Sequence, residues 1–181
     1  GFVELRGSNT YSGATTHGGG IIRIGSDHAL GTGTLILKHN ARLMGNSSDL
    51  RTVANDIVVQ GDAFFGASGQ RLKFTGGVDL GGVTSTWEVL NVPNNGNFRQ
   101  IMDGAISGSG GIVKTGDGQI ELNNADNAFS GGFTLVDGLL HLGQNNCLGT
   151  GPLTLQGGVV TPRGVQSRFV TNAVSVEAGF G

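Results

Sequence analysis

The feature that most constrains this chain is a long match of the sequence to itself. The stretch that begins at Gly1, GFVELRGSNTYSGATTHGGG, aligns with the stretch that begins at Gly118, and Glu4 then meets Glu121, 117 residues later. After a one-residue insertion the offset becomes 118, and LGTG recurs at Leu30–Gly33 and Leu148–Gly151. A period this long within 181 residues is typical of stacked repeating units. The match predicts an imperfect repeat, 1–60 and 118–177, with 61–105 as intervening coils and a loop.

Within the period, the pattern predicts short β-strands separated by corners of Gly and Asn. Apolar and polar residues alternate in most of these segments, which is the signature of a strand with one buried face. No window of a dozen residues shows an apolar stripe with helical spacing. The predicted strands are Phe2–Leu5, Ile21–Ile24, Thr34–Leu37, Asp56–Gln60, Gln70–Phe74, Thr86–Leu90, Gly111–Lys114, Gln119–Leu122, Gly138–Leu142, Pro152–Leu155 and Ala173–Val176.

Two architectures suit so many short strands, an antiparallel sandwich and a solenoid of stacked coils. A sandwich favours paired hairpins and does not explain the self-match, whereas each coil of a solenoid adds to the last. We therefore predict an all-β fold, a parallel β-helix with corners rich in Gly and Asn, over the single segment 1–181. At about 20–25 residues per coil the chain would form roughly seven to nine coils. At about 4.8 Å per coil, the rod would be on the order of 35–45 Å long.

Composition and charge exclude several classes of protein. Glycine supplies 35 residues, but it does not recur at every third position and Pro is nearly absent, so the chain is not collagen. The net charge is −2 and the 11 basic residues are scattered, which leaves no basic stripe for nucleic acid. No apolar run is long enough for a membrane-spanning helix. A single cysteine, Cys147, excludes an internal disulfide framework.

The glycine-rich segment GSGGIVKTGDG, Gly108–Gly118, raises the question of phosphate binding. A phosphate-binding loop needs glycine directly before its lysine, and Val113 stands there instead. The segment therefore reads as a strand that runs into a turn. We expect Ile112 to point to the core and Lys114 to face solvent.

Candidate residues for metal binding and catalysis are isolated in the sequence. The histidines have no metal-ligand spacing, and we expect surface or corner positions for His17, His28, His39 and His141. Cys147 aligns with Ala29, which predicts a small buried corner residue. Four carboxylates could converge from neighbouring coils as a glycosidase pair, namely Asp103, Asp117, Asp126 and Asp137. Because Asp117 and Asp126 lie in repeat corners, where Asp is a routine turn former, we predict no catalytic, cofactor-binding or metal site.

The segment Ile106–Val160 resembles the autotransporter-associated β-strand repeat, also called the passenger-associated transport repeat. That motif reads approximately G-x-G-G-L-x-K-x-G-x-G-x-L-x-L, then N-x-[YF]-[ST]-G-x-[TF]-x-[LV]-x-x-G-x-L, then a-L-G-x-G-x-L. The second copy matches it at Gly108, Gly110, Gly111, Lys114, Gly116, Gly118, Leu122, Asn127, Phe129, Gly131, Gly138, Leu140, Leu148, Gly149 and Gly151. The first copy matches from the middle onward at Asn9, Tyr11, Ser12, Gly13, Gly20, Leu30, Gly31 and Gly33. The stretch Asp56–Asp103 departs from the motif, and TSTWEVLNVPNNGNF within it holds the only Trp and a loop.

This resemblance implies a right-handed parallel β-helix that is exported across the outer membrane of a Gram-negative-type bacterium and displayed or released. Passengers of this family include adhesins, proteases and cytotoxins, and the repeat brings no catalytic residues with it. The chain begins without an initiator Met or a signal-peptide pattern, and we expect it to be a piece of a longer protein.

The expected function is that of a non-enzymatic structural or adhesive segment at the bacterial cell surface, which extends a rod or presents binding loops. It needs no cofactor. The expected partners are neighbouring coils of the same long chain or of another copy, surface glycans, and host or cell-surface proteins, but not nucleic acid. Two alternatives stay open here: a carbohydrate-cleaving β-helix of the tailspike or pectin-lyase type, and a subunit of an end-to-end extracellular filament.

Overall fold

Alternation of apolar and polar residues favours strands, and the described part of the chain contains twenty short strands whose pairings are all parallel. The structure is a computed structural model, and it describes residues 1–47, 49–65, 71–90 and 99–177. The strands form three sheets that wind around one core as a β-solenoid of about eight turns. The predicted all-β class and the stacked coils are thereby confirmed, and the antiparallel sandwich is wrong.

The three sheets are the faces of the solenoid, and a coil passes from sheet A to sheet C and then to sheet B. Sheet A contains β1 Phe2–Leu5, β3 Gly20–Ile24, β5 Ala41–Gly45, β8 Ala63–Phe65, β11 Ser85–Val89, β14 Ile112–Thr115, β16 Phe133–Leu135, β18 Leu153–Leu155 and β20 Val174–Val176. Sheet B contains β2 Thr15–His17, β4 Leu35–Leu37, β7 Ile57–Val59, β10 Val78–Asp79 and β13 Ile106–Ser107. Sheet C contains β6 Leu50–Val53, β9 Arg71–Phe74, β12 Arg99–Met102, β15 Gln119–Leu122, β17 Leu139–Leu142 and β19 Val159–Pro162.

The coils differ in length, and the longest ones interrupt the repeat. Phe133 pairs with Leu153, 20 residues later, whereas Ala63 pairs with Trp87, 24 residues later. Ser85 pairs with Ile112, 27 residues later. These longer coils lie mainly in 61–105, where the sequence departs from the repeat. The loop predicted there falls mainly on 91–98, which lie outside the described residues.

Side chains that point inward form columns along the solenoid axis, because the strands stack in register. The core is one continuous cluster of Leu, Ile, Val, Phe and Ala side chains. In the long coils, aromatic rings fill it: Phe65 packs edge-on against Phe74 at 5.3 Å and against Trp87 at 5.4 Å between ring centroids. Burial of apolar surface at roughly 25 cal/mol per Å² makes this column the main source of stability.

The two copies of the repeat occupy different faces of the solenoid. Strands β1, β3 and β5 of sheet A correspond in sequence to β15, β17 and β19 of sheet C. Strands β2, β4 and β7 of sheet B correspond to β16, β18 and β20 of sheet A. A repeat of 117–118 residues therefore spans five coils and one further face. The second copy is rotated by one face about the axis relative to the first.

Candidate functional site

The LGTG loop of each copy is held by hydrogen bonds from the coils before and after it. In the first copy the loop is Leu30–Gly33. Asn9 of the preceding coil donates from its side-chain amide to the carbonyl of Ala29 at 2.8 Å. In the opposite direction, the backbone N–H of Thr32 in the loop donates to the carbonyl of Tyr11 in the preceding coil at 2.9 Å. The motif residues that are distant in sequence thus meet across neighbouring coils.

A second asparagine closes the LGTG loop from the following coil. The side-chain nitrogen of Asn55 donates to the carbonyls of Leu30, Gly31 and Gly33 at 3.3, 3.3 and 2.7 Å. These carbonyls lie in an irregular corner without strand partners, and Asn55 is buried there. Since buried backbone carbonyls need a donor, the amide replaces a missing sheet contact.

The second copy repeats this arrangement around Leu148–Gly151. Asn127 donates to the carbonyl of Cys147 at 2.6 Å, and Thr150 N–H donates to the carbonyl of Phe129 at 2.9 Å. Asn172 donates to the carbonyls of Leu148, Gly149 and Gly151 at 3.4, 3.2 and 2.6 Å. Because the copies share these contacts on different faces, we interpret the motif as a three-coil lock, formed by one LGTG loop and the asparagines on either side.

Glycine is required in this lock where the backbones of two coils approach closely. Gly31 and Gly149 have φ of +60° and +65°, in the left-handed region. A methyl group added at Gly149 would overlap the carbonyl oxygen of Phe129, and one added at Gly31 would overlap that of Tyr11. Both the backbone angle and the space therefore demand glycine.

Removal of the closing amide should destabilise the solenoid in proportion to its burial. We expect Asn55→Ala to lower the free energy of unfolding by about 2 kcal/mol, because buried carbonyls lose their donor. The matched variant Asn172→Ala removes the same three bonds at a half-exposed site, where water can replace the amide, and should lose less. Urea unfolding followed by circular dichroism measures both values. An equal loss in the two variants would contradict the role of burial.

Lys114 lies inside the solenoid, so the prediction that it faces solvent is wrong. Its side chain is fully buried, whereas Ile112 points to the core as predicted. In the inward column of sheet A it stacks between Trp87 and Leu135. Its Nζ turns to a corner and donates to the carbonyls of Thr115, Gly116 and Asp137 at 3.0, 2.5 and 2.9 Å. The lysine thus joins two neighbouring coils by satisfying corner carbonyls.

Burial lowers the pKa of Lys114 to about 8, although the nearby charges of Asp137 and Asp117 oppose the shift. The unfolded chain keeps this proton up to its ordinary pKa of about 10.4 and so binds more protons than the folded chain between these two values. The free energy of unfolding therefore gains a contribution that rises with pH in this window. We expect wild type to gain stability relative to Lys114→Met between pH 8 and 10, because the other titrating groups cancel in the difference. A difference that is flat or falls with pH would contradict this.

The histidines and the cysteine that the sequence offered as candidates differ in their burial. His17 is buried in β2, and its Nε2 accepts the backbone N–H of Arg42 at 3.0 Å, so the surface or corner position predicted for it is wrong. His28 and His39 are exposed, and His141 is half-buried. Cys147 is buried at a corner as predicted, and burial raises the pKa of its thiol.

The four candidate carboxylates are distributed over several corners. Asp103 pairs with Lys73 at 2.6 Å and accepts from Asn123 at 2.8 Å. Asp137 accepts the N–H of Gly138 at 2.6 Å, and Asp126 lies in an exposed turn. In the described ranges, no group of three or more His, Cys, Asp or Glu side chains could hold a metal ion. No helix among the same residues is long and apolar enough to cross a membrane.

A group of polar side chains that the sequence did not single out lies on the outer face of sheet A. It lines a shallow cavity of about 220 Å³, here called the sheet A pocket, with side chains from β5, β8, β11 and the corners before β5 and β8. The lining residues are Asn40, Arg42, Asp62, Ala63, Phe64, Thr86 and Glu88. They are 20 or more residues apart from strand to strand, and only the register of the coils brings them together.

A comparison with known proteins finds a relative that is similar to this chain in sequence. The chain is 31% identical over 174 residues to the protein described as Adhesin BmaC autotransporter, from Brucella suis biovar 1 (strain 1330). The alignment covers 96% of this chain but 4% of that adhesin, so the chain spans a small part of the relative's length. No protein-family model and no solved structure matches the chain. The chain is thus a β-solenoid that is similar to a segment of an autotransporter adhesin.

Proposed function

We propose that this chain is a rod-forming segment of an adhesive β-helical protein on the bacterial surface. The observation that carries the proposal is the similarity to an autotransporter adhesin along 96% of the chain, together with a parallel stack of coils. The autotransporter-associated repeat proposed from the motif is consistent with the three-coil lock. The lock fastens each LGTG loop to the coils on both sides of it.

The ends of the solenoid are suited to extension by further coils. Each coil contacts only its neighbours, so a rod can lengthen without a change in the coils already stacked. Apolar side chains of the first strand, Phe2 and Val3, are 54% and 58% exposed, and those of the last strand, Val174 and Val176, are 55% and 61% exposed. We propose that neighbouring coils of the longer protein cover them, since open strand edges otherwise invite aggregation.

The rod-forming role can be tested by shortening the intact surface protein by one repeat. Deletion of residues 20–137 joins Gly19 to Gly138, the second-copy equivalent of Gly20. Every coil after the junction is then rotated by one face about the axis. It still packs against the kind of neighbouring coil that the repeat places there. We expect surface display to persist and the rod to shorten by about 26 Å, at about 4.8 Å for each of five and one third coils.

The control deletion removes residues 20–127, ten residues fewer than one repeat. A corner then follows Gly19 at the place where β3 begins in the wild type. We expect this variant to lose display, because its inward columns no longer continue. Antibody binding to intact cells measures display, electron microscopy measures rod length, and attachment to host cells measures adhesion. Loss of display in the in-register deletion, or an intact protein that is not at the surface, would contradict the proposed function.

A further inference from the structure

The sheet A pocket is built as a grid of six outward side chains on three neighbouring coils. Strand register places its members in two columns, one of Asn40, Asp62 and Thr86, and one of Arg42, Phe64 and Glu88. Successive coils are about 4.8 Å apart, and the two columns are about 7 Å apart. Positively and negatively charged side chains therefore surround one cavity. The distances between them are similar to those between neighbouring hydrogen-bonding groups on a small molecule.

An aromatic ring forms one wall of the pocket. Phe64 lies on the outer face of the sheet, yet it is only 7% exposed. The guanidinium of Arg42 lies over this ring, 4.8 Å from its centroid. A cation–π contact of this kind holds the long arginine side chain in one orientation, which leaves its N–H donors fixed at the edge of the cavity.

The charges around the pocket do not neutralise one another. Within the part of the chain that the structure describes, neither Arg42 nor Asp62 nor Glu88 forms an ion pair. Asp62 accepts the backbone N–H of Thr86 at 2.8 Å through Oδ1. Donors and acceptors therefore face the same cavity and are separated by it. A ligand that both accepts and donates hydrogen bonds can bridge them, whereas an ion of either sign meets a like charge.

The repeat does not require these side chains. Ile21 pairs with Arg42, and Leu139, the second-copy equivalent of Ile21, pairs with Val159. The same outward position thus holds valine in one copy and arginine in the other. Phe64 and Glu88 belong to the region 61–105, which has no repeat equivalent in this chain. The fold therefore accepts an apolar residue at this position and does not require arginine there.

We propose that the sheet A pocket binds one sugar unit of a neutral glycan. Arg42 and Asn40 donate to sugar hydroxyl oxygens, and the carboxylates of Asp62 and Glu88 accept from sugar hydroxyls. The volume of about 220 Å³ suits a single sugar ring and is below the 300–1,000 Å³ of sites that enclose larger ligands. This inference rests on the proposed adhesive function and names the class of ligand for it.

The test uses the intact surface protein and a panel of immobilised glycans that end in neutral, sialylated or sulfated sugars. The pocket variants are Arg42→Val, which installs the residue of the second copy, and Glu88→Gln, which keeps the shape of the side chain. Arg23→Val is the matched control, because Arg23 lies on the same face of sheet A with its guanidinium 4.0 Å over the ring of Phe2. Thermal unfolding of each variant verifies that the solenoid is intact.

We expect binding to glycans with a neutral terminal sugar and a loss of at least about tenfold in both pocket variants, because each removes charge-assisted hydrogen bonds. Arg23→Val should bind as wild type does. The inference is overturned if no neutral glycan binds, if only charged glycans bind, if free amino acids displace the glycan, or if the control loses binding equally. If surface display and host-cell attachment persist in any of these cases, the proposed function stands and only the pocket assignment fails.

Discussion

Gly149→Ala is expected to lower the free energy of unfolding by about 3–5 kcal/mol. The left-handed backbone angle accounts for about 1–2 kcal/mol of this loss. The remainder arises because the new methyl group overlaps the carbonyl oxygen of Phe129, which already accepts the N–H of Thr150. A backbone oxygen cannot move aside as a flexible side chain can, so two neighbouring coils must separate. Urea unfolding of the purified chain, followed by circular dichroism, measures the change.

Gly81→Ala separates backbone strain from steric overlap. Gly81 also has a positive φ, +52°, but a methyl group there would meet no atom within 4 Å. We expect a loss of only about 1–2 kcal/mol for this variant. If both variants lose the same free energy, close packing between coils at the LGTG loop does not contribute, and the three-coil lock is the wrong interpretation.

Lys114→Ala should have the second large effect, a loss of at least about 3 kcal/mol at pH 7. The substitution leaves a cavity in the inward column of sheet A and removes the donor from three corner carbonyls. The same measurement of urea unfolding applies. A change below 1 kcal/mol would mean that the buried ammonium costs as much free energy as its hydrogen bonds contribute.

Lys114→Met distinguishes the two causes of this loss. Methionine fills most of the volume of the lysine stem but donates no hydrogen bond. We expect it to recover about half of the stability that alanine loses. A Met variant as unstable as the Ala variant would assign the whole effect to the carbonyls, and one as stable as wild type would assign it to the cavity.

The sequence was sufficient to predict the class of fold and many of its strands. All eleven predicted strands are present, with ends that differ by at most one residue. Nine of the twenty described strands were not predicted, and two of them, β8 and β2, lack an alternation of apolar and polar residues. β8, with the sequence AFF, is buried at every position because Phe64 lies under Arg42 on the outer face. β2, with the sequence TTH, has no apolar residue, and register with β4 alone makes it a strand.

The candidate site was predicted less completely, because its contacts join residues of different coils. Alternation from Ile112 places Lys114 on the inward face, but a charged residue suggested solvent. The carbonyl of Asp137 that helps to satisfy it belongs to the next coil. Asn55 and Asn172 lie outside the LGTG motif, although both follow it at equivalent positions of the repeat. The sheet A pocket has no signal in any single segment, since only stacking of long coils assembles it.

The rotation of the second copy by one face has a consequence for any chain that continues with the same spacing. Successive repeats are then related by a screw operation of one third of a turn and a rise of about 26 Å, which is five and one third coils at about 4.8 Å each. Three repeats complete one pitch of about 77 Å in sixteen coils. Equivalent loops of successive repeats therefore lie at three azimuths, 120° apart, and a loop stands directly above its equivalent only after three repeats, about 77 Å along the axis. Such a rod presents its repeated surface on all three of its faces, so a partner meets an equivalent loop on whichever face is turned toward it.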